Sequence, residues 1–177
     1  MLLQPLRTPV LSSLTADQCR SVLDGSHVGR VAYQNGRLIN VEPVHYACAG
    51  RWILMRSAEG AAIEAFAHNP YVTFEVDEVD ALFDWRSVVA HGAIVRLDDA
   101  GAQVDHQMFI HALEALRSFM PDTQAFDDPT ALRQTTYGLY IDQLKGRRAE
   151  QRKRPRARRA GALKPIPQTR PFLVGYV

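Results

Sequence analysis

β-like runs occupy Val28–Tyr33, Leu38–Ala47, Trp52–Arg56, Val72–Val76 and Ser87–Leu97, the third of them continuously apolar up to Arg56, and Thr136–Leu144 reads as a sixth strand with Tyr137, Leu139 and Ile141 on one face. Short runs of this kind, bounded by turn signals, read as strands, whose successive side chains point to opposite faces. Asn35-Gly36 and Ala49-Gly50-Arg51 interrupt the runs with residues that accept positive φ cheaply, which marks hairpins. The first three strands are therefore expected to form a meander.

Helical spacing appears in three places. Leu14 to Leu23 opens with Thr15 as a candidate N-cap, stops before Gly25, and offers Leu14, Val22 and Leu23 for packing. Ala61–His68 carries a small apolar face of Ile63 and Phe66 and ends at Asn69-Pro70. From about Ala100 to Met120, Val104, Met108, Leu113, Leu116 and Phe119 recur near helical spacing, and Pro121 to Pro129 reads as a polar loop. The expected fold is mainly β with α: six antiparallel strands with helices outside them, closed into a barrel because closure removes exposed edges.

At 177 residues, 46% hydrophobic and 23% charged, the chain can bury one core, and no apolar run is long enough to cross a bilayer. No secretory leader pattern is evident, so a cytoplasmic location away from membranes is expected. Cys19 and Cys48 are far apart and lack paired-ligand spacing, which favours two packed, reduced thiols. The net charge of +2 hides a division: residues 145–170 hold eleven bases against Glu150 alone, while residues 1–144 are acidic. Such a basic run can bind nucleic acid, stay solvated, or lie across an acidic body. Glu75, Asp77, Glu78, Asp80 and Asp84 are a natural counterpart, expected at a hairpin edge or loop.

The ordered segments VGRVAY, LINVEPVHYACAGRWILMRSAEG, HNPYVTFEVDEVD, WRSVVAHGAIVRLDD and YIDQLKGRR resemble the pyridoxamine 5′-phosphate oxidase-like, FMN-binding split β-barrel family. The resemblance spans roughly residues 14–148, so the chain is expected to divide into a barrel domain over residues 1–148 and a basic extension over 149–177, whose end Arg170–Val177 is too apolar for a free tail and is expected to dock as an extra strand. The resemblance implies a homodimer with FMN in the groove between subunits, acting as an oxidoreductase on a small molecule. The isoalloxazine would lie along Val44, His45 and Tyr46, mainly on backbone groups. The phosphate would meet Arg56 and Ser57, and the partner subunit would contribute from Trp85, Arg86 and Ser87. The chemistry of the residues agrees, since Arg presents a planar fork of donors to phosphate oxygens and a helix N-terminus adds unpaired amides.

One departure stands out: relatives commonly carry a lysine two residues after the turn glycine, where this chain has Gly60-Ala61-Ala62. Lys164 or one of Arg152–Arg159 could replace that cation, and an added lysine at Ala62 is expected to tighten FMN. F420 is a substitute ligand for the same groove. The alternative is a barrel without flavin that engages nucleic acid or a protein through its basic tail. Phosphate contact by Arg56 and Ser57 is preferred to an exposed strand end paired with an acid; for Trp85, ligand stacking and a dimer seam stay equally open. His45 reads as a strand residue near the flavin rather than a catalytic acid. His106, His111 and Glu114 read as a solvated helix face rather than a metal site. No P-loop, GxSxG elbow or Rossmann fingerprint occurs.

Overall fold

The first helix begins where its capping residue stands. The Thr15 side chain accepts the Gln18 N–H at 3.3 Å, and Gln18 Oε1 accepts the Thr15 N–H at 2.9 Å, closing a capping box. This computed structural model describes residues 9–57, 61–97, 103–129, 132–133 and 135–151. The elements are β1 (Pro9–Ser13), α1 (Ala16–Asp24), β2 (Val28–Asn35), β3 (Leu38–Ala49), β4 (Trp52–Ser57), α2 (Ala61–His68), β5 (Tyr71–Ala81), β6 (Asp84–Leu97), α3 (Gln103–Arg117) and β7 (Thr135–Gln151). Gly36 and Gly50 turn the β2–β3 and β3–β4 hairpins with φ of 61° and 59°, values that favour glycine.

All pairings are antiparallel, in the order β1-β7-β4-β3-β2-β5-β6, and β6 pairs back to β7. Six strands thus form a closed ring, with β1 added to the far half of β7. The row Pro43, Arg30, Glu75, Val89, Lys145 crosses five strands and rejoins β7 well past its Arg56–Thr136 pair, which is the stagger a closed barrel requires. Asp142 is the extra residue where the β6–β7 register shifts, a bulge that bends the long ladder.

Inward positions build the main core: Val31, Tyr33, Val44, Tyr46, Ile53, Met55, Phe74, Val76, Val88, Ala90, Leu139 and Ile141. α1 closes one end of the barrel with Cys19, Val22 and Leu23, and Tyr46 Oη donates to Leu23 O at 2.7 Å. α2 closes the other with Ala62, Ala65 and Phe66, the last set edge-on to Tyr33 and Tyr137. A second, smaller core lies outside the barrel, where Phe109, Ala112 and Leu113 of α3 cover Leu54 and Leu97. Cys19 and Cys48 are both free, and burial pushes the Cys48 thiol up to about 12, so it is a packing group rather than a nucleophile.

Three expectations need adjusting. β1 was not expected, since Pro9–Ser13 has only two aliphatic side chains; it is held by backbone pairing to Arg147–Gln151. The last strand does not end at Leu144 but runs to Gln151, so Lys145, Arg147 and Arg148 are strand residues paired to Val89, Ser87 and Arg86 rather than the start of a tail. α3 begins at Gln103 and ends at Arg117, and Phe109 and Ala112 carry its buried face beside Leu113 and Leu116. The expected turn at Glu59-Gly60 and the expected docking of residues 170–177 fall outside the described residues, as do the tail cations from Arg152 onward. No helix among the described residues is long and apolar enough to cross a membrane.

Candidate functional site

β3 and β4 pair with Tyr46 opposite Met55, both pointing inward. One register step further stand His45 and Arg56, on outward positions of the two neighbouring strands. Strand parity thus divides the expected site: the side chains of Val44 and Tyr46 are buried in the barrel, so those residues can offer a ligand only backbone groups, while His45 faces out. The outer side of β4 is roofed by α3 and by the segment that follows it. There Arg56 is 3% exposed, and its Nη1 donates to Asp128 Oδ2 at 2.6 Å. The same oxygen accepts the Gln124 N–H at 2.7 Å, so one carboxylate ties the loop to the strand. Ser57 ends β4 opposite Thr135, and Thr136, fully covered, pairs with Arg56 in the register.

Arg133 completes this corner. Its Nη2 makes a long 3.5 Å contact to Pro43 O. Burial, with the Arg133 charge second, holds the His45 imidazole below its ordinary range, so it is neutral at pH 7. Among the described residues, His45 Nδ1, Arg133 Nη1 and Thr136 Oγ1 are covered by the protein and have no hydrogen-bond partner.

Trp85, Arg86 and Ser87 lie elsewhere. They open β6 at the tip of the β5–β6 hairpin, where Ser87 Oγ donates to Glu75 Oε1 at 3.1 Å and Arg86 pairs with Glu78. A shallow cleft of about 460 Å³ is lined by Arg30, Glu75, Asp77, Val79, Trp85 and Ser87, with neither His45 nor Arg56 in it. Three strand spacings of about 4.8 Å separate β3 from β6 across a convex face, so outward side chains diverge. One chain therefore brings His45, Arg56 and Ser57 together and leaves Trp85, Arg86 and Ser87 apart. Ala62, the position expected to lack a lysine, packs into the barrel core at 6% exposure. A lysine there would have to bury its ammonium or displace α2, which carries a cost in stability.

Sequence reasoning missed Asp128 and Arg133. Both lie in a polar loop where no periodicity identifies a partner, and only the fold carries them over β3 and β4. The one available signal was an acid and a base close together in a loop following a helix that covers the candidate strand.

A staggered six-stranded ring with a helix at each end defines a split β-barrel. Residues 15–148 match the family described as pyridoxamine 5′-phosphate oxidase, and the chain belongs to that family. Among solved structures it is similar to a FAD-binding protein from Mesorhizobium loti, with 27% identity, a TM-score of 0.66, and coverage of 81% of this chain and 100% of that one. It also resembles in fold the FAD binding protein from Mycobacterium smegmatis, at 22% identity and a TM-score of 0.57 over 78% of this chain and 98% of that one. A FAD and heme binding protein from the same organism shares the fold at 17% identity and a TM-score of 0.58, over 79% and 73% of the two chains. No curated protein has a sequence matching this chain.

Proposed function

We propose that this protein binds a flavin, FMN, on the outer side of β3 and β4 and serves as a flavin-dependent oxidoreductase for a small molecule. The observation that carries this reading is the placement of Arg56 on β4 one register step beyond the Tyr46–Met55 pair, next to the strand that bears outward His45, with Arg133 reaching that strand at Pro43. The residues present suit such a group, because Val44 and Tyr46 bury their side chains and leave β3 only backbone groups to offer a ring, while Arg56 and Ser57 stand at the end of the neighbouring β4. A bound flavin supplies hydride or electron transfer itself; the chain's part is to hold and orient it and exclude water. Arg56 and Ser57 serve the phosphate, with Arg56 shared between that phosphate and Asp128.

A second copy of the chain closes the groove. Support comes from the divergence of Trp85, Arg86 and Ser87 from His45, and from the exposed apolar residues Val28, Ile39, Val41 and Val79 on the same outward side. The test is a titration of the purified full chain with FMN and with FAD, followed by absorbance in the flavin bands, and a sedimentation mass. Saturable binding of FMN in preference to FAD by a particle of two chains is expected. No uptake of either flavin would overturn the reading, preference for FAD would replace FMN, and a monomer that binds FMN would remove the second copy from it.

A further inference from the structure

Around the far half of β7, four strands lie side by side in the order β5-β6-β7-β1. One row of residues crosses all four: Val79 stands opposite Trp85, Trp85 opposite Ala149, and Ala149 opposite Leu11. Opposite residues of antiparallel strands share a face, and Trp85 is on the face away from the buried Val88, so the whole row points out of the barrel. Leu11 and Val79, its two ends, are 68% and 63% exposed, and Ala149 between them is covered. The shallow cleft beside Trp85 and Val79 extends the row and leaves room for a large side chain. Solvent thus meets an apolar stripe three strand spacings long, about 14 Å. Its β5 end is acidic. Asp77 is the next outward residue on that strand, and Asp80 and Asp84 stand at the hairpin tip, where they make no ion pair with the described residues.

β7 ends at Gln151, two residues past the partner of Trp85, and so delivers the chain to this hairpin tip. Residues 152–177, outside the described residues, hold eight bases and no acid, and they close with Phe172, Leu173, Val174, Tyr176 and Val177. A cationic run followed by an apolar one matches an acidic tip followed by an apolar stripe, in the order in which the chain meets them. We propose that this segment docks on its own chain, with residues 152–159 against Asp77, Asp80 and Asp84 and residues 172–177 across the Val79–Trp85–Ala149–Leu11 stripe. The lengths agree: six extended residues span up to about 20 Å, and residues 160–171 are enough to turn back over the row. β7 has β1 on one side and β6 on the other here, so the segment lies on the face of these strands rather than beside β7. Attachment to the same chain gives a high effective concentration, and weak contacts suffice. The docked run has its bases occupied by the hairpin, which withholds them from nucleic acid. The inference is independent of the flavin reading, and it leaves Val28, Ile39 and Val41 on β2 and β3 to a second copy.

Trypsin cuts after Lys and Arg and so reads how often residues 152–159 stand free. In the full chain they should be cut about tenfold or more slowly than in a synthetic peptide of residues 152–177. Leu173→Asp, Val79→Asp, and Asp80→Asn combined with Asp84→Asn should each raise the rate toward that of the peptide, and molar salt should raise it in the wild type. The two tryptophan indole N–H resonances locate the contact: Leu173→Asp in the full chain should shift that of Trp85 and leave that of Trp52, which packs edge-on to Tyr140. Wild-type cleavage at the peptide's rate overturns the proposal, and so does an unmoved Trp85 resonance. Should Leu11→Asp split a two-chain particle while residues 152–159 are cut as in the wild type, the stripe is a seam between copies and the proposal fails. Duplex DNA bound as tightly by the wild type as by the Asp80→Asn, Asp84→Asn chain would show the bases to be free, and would overturn it as well. If Val79→Asp fails to fold, Leu173→Asp and the double Asn variant decide alone.

Discussion

Arg56 and Arg30 both project from outward positions of barrel strands and both meet carboxylates, but their surroundings differ. The Arg56 and Asp128 side chains are 4% and 1% exposed, whereas Arg30, Glu75 and Asp77 are 52%, 31% and 32% exposed. Near Arg56, α3 and the loop after it exclude water, so the pair is committed: neither charge can lose its partner cheaply. Near Arg30, water competes for every charge, and the pairs to Glu75 at 3.1 Å and Asp77 at 2.7 Å can be exchanged at small cost. The first region is built to hold a shape; the second can be re-paired when something else lies on it.

Removing Asp128 is the strongest way to test that contrast. Asp128→Ala leaves the Arg56 guanidinium buried without this carboxylate, and a loss of about 3–5 kcal/mol in chemical denaturation is expected. An intermediate effect is expected when both partners go: Arg56→Met combined with Asp128→Leu should be distinctly more stable than Asp128→Ala, since neither charge of this pair is left buried without the other. Equal losses would mean that the pair is more open to water than its burial implies. On the exposed side, Arg30→Ala should cost under about 1 kcal/mol, and the difference should shrink further in molar salt.

The smallest effect is a pH slope from His45. Its folded pKa lies below the ordinary 6.5, because burial and the Arg133 charge disfavour the imidazolium. The unfolded chain takes up the proton first, so this contribution to stability is present above 6.5 and is lost as pH falls through the folded value. Melting curves of wild type and His45→Gln between about pH 7.5 and 5 should show a steeper fall in the wild type. Parallel curves would place His45 in open solvent, as freely hydrated as Arg30.

Much of the barrel was legible because its signals are local. Thr15 and Gln18 cap α1 within four residues, Gly36 and Gly50 mark hairpins by backbone conformation, and inward alternation from Val31 to Ile141 follows the strand period. β1 and the end of β7 were not, since Pro9–Ser13 and Lys145–Gln151 pair through backbone groups that a sequence pattern does not display, and their charges resemble a solvated tail. The site was half legible. His45, Arg56 and Ser57 stand on strands whose register follows from the hairpin, whereas Asp128 and Arg133 reach β3 and β4 only through the path of a loop.

The long β7 has a further consequence, during synthesis. It pairs with β1 from the start of the chain, with β4 from its first third and with β6 from its middle, so its contacts span most of the sequence. A nascent chain that has emerged only as far as α3 carries an open sheet with β4 and β6 as unpaired borders, and the ring can shut only when residues 135–151 leave the ribosome. Folding of the barrel is thereby coupled to the emergence of β7, and ribosome-stalled chains lacking it are expected to engage chaperones or pair with one another.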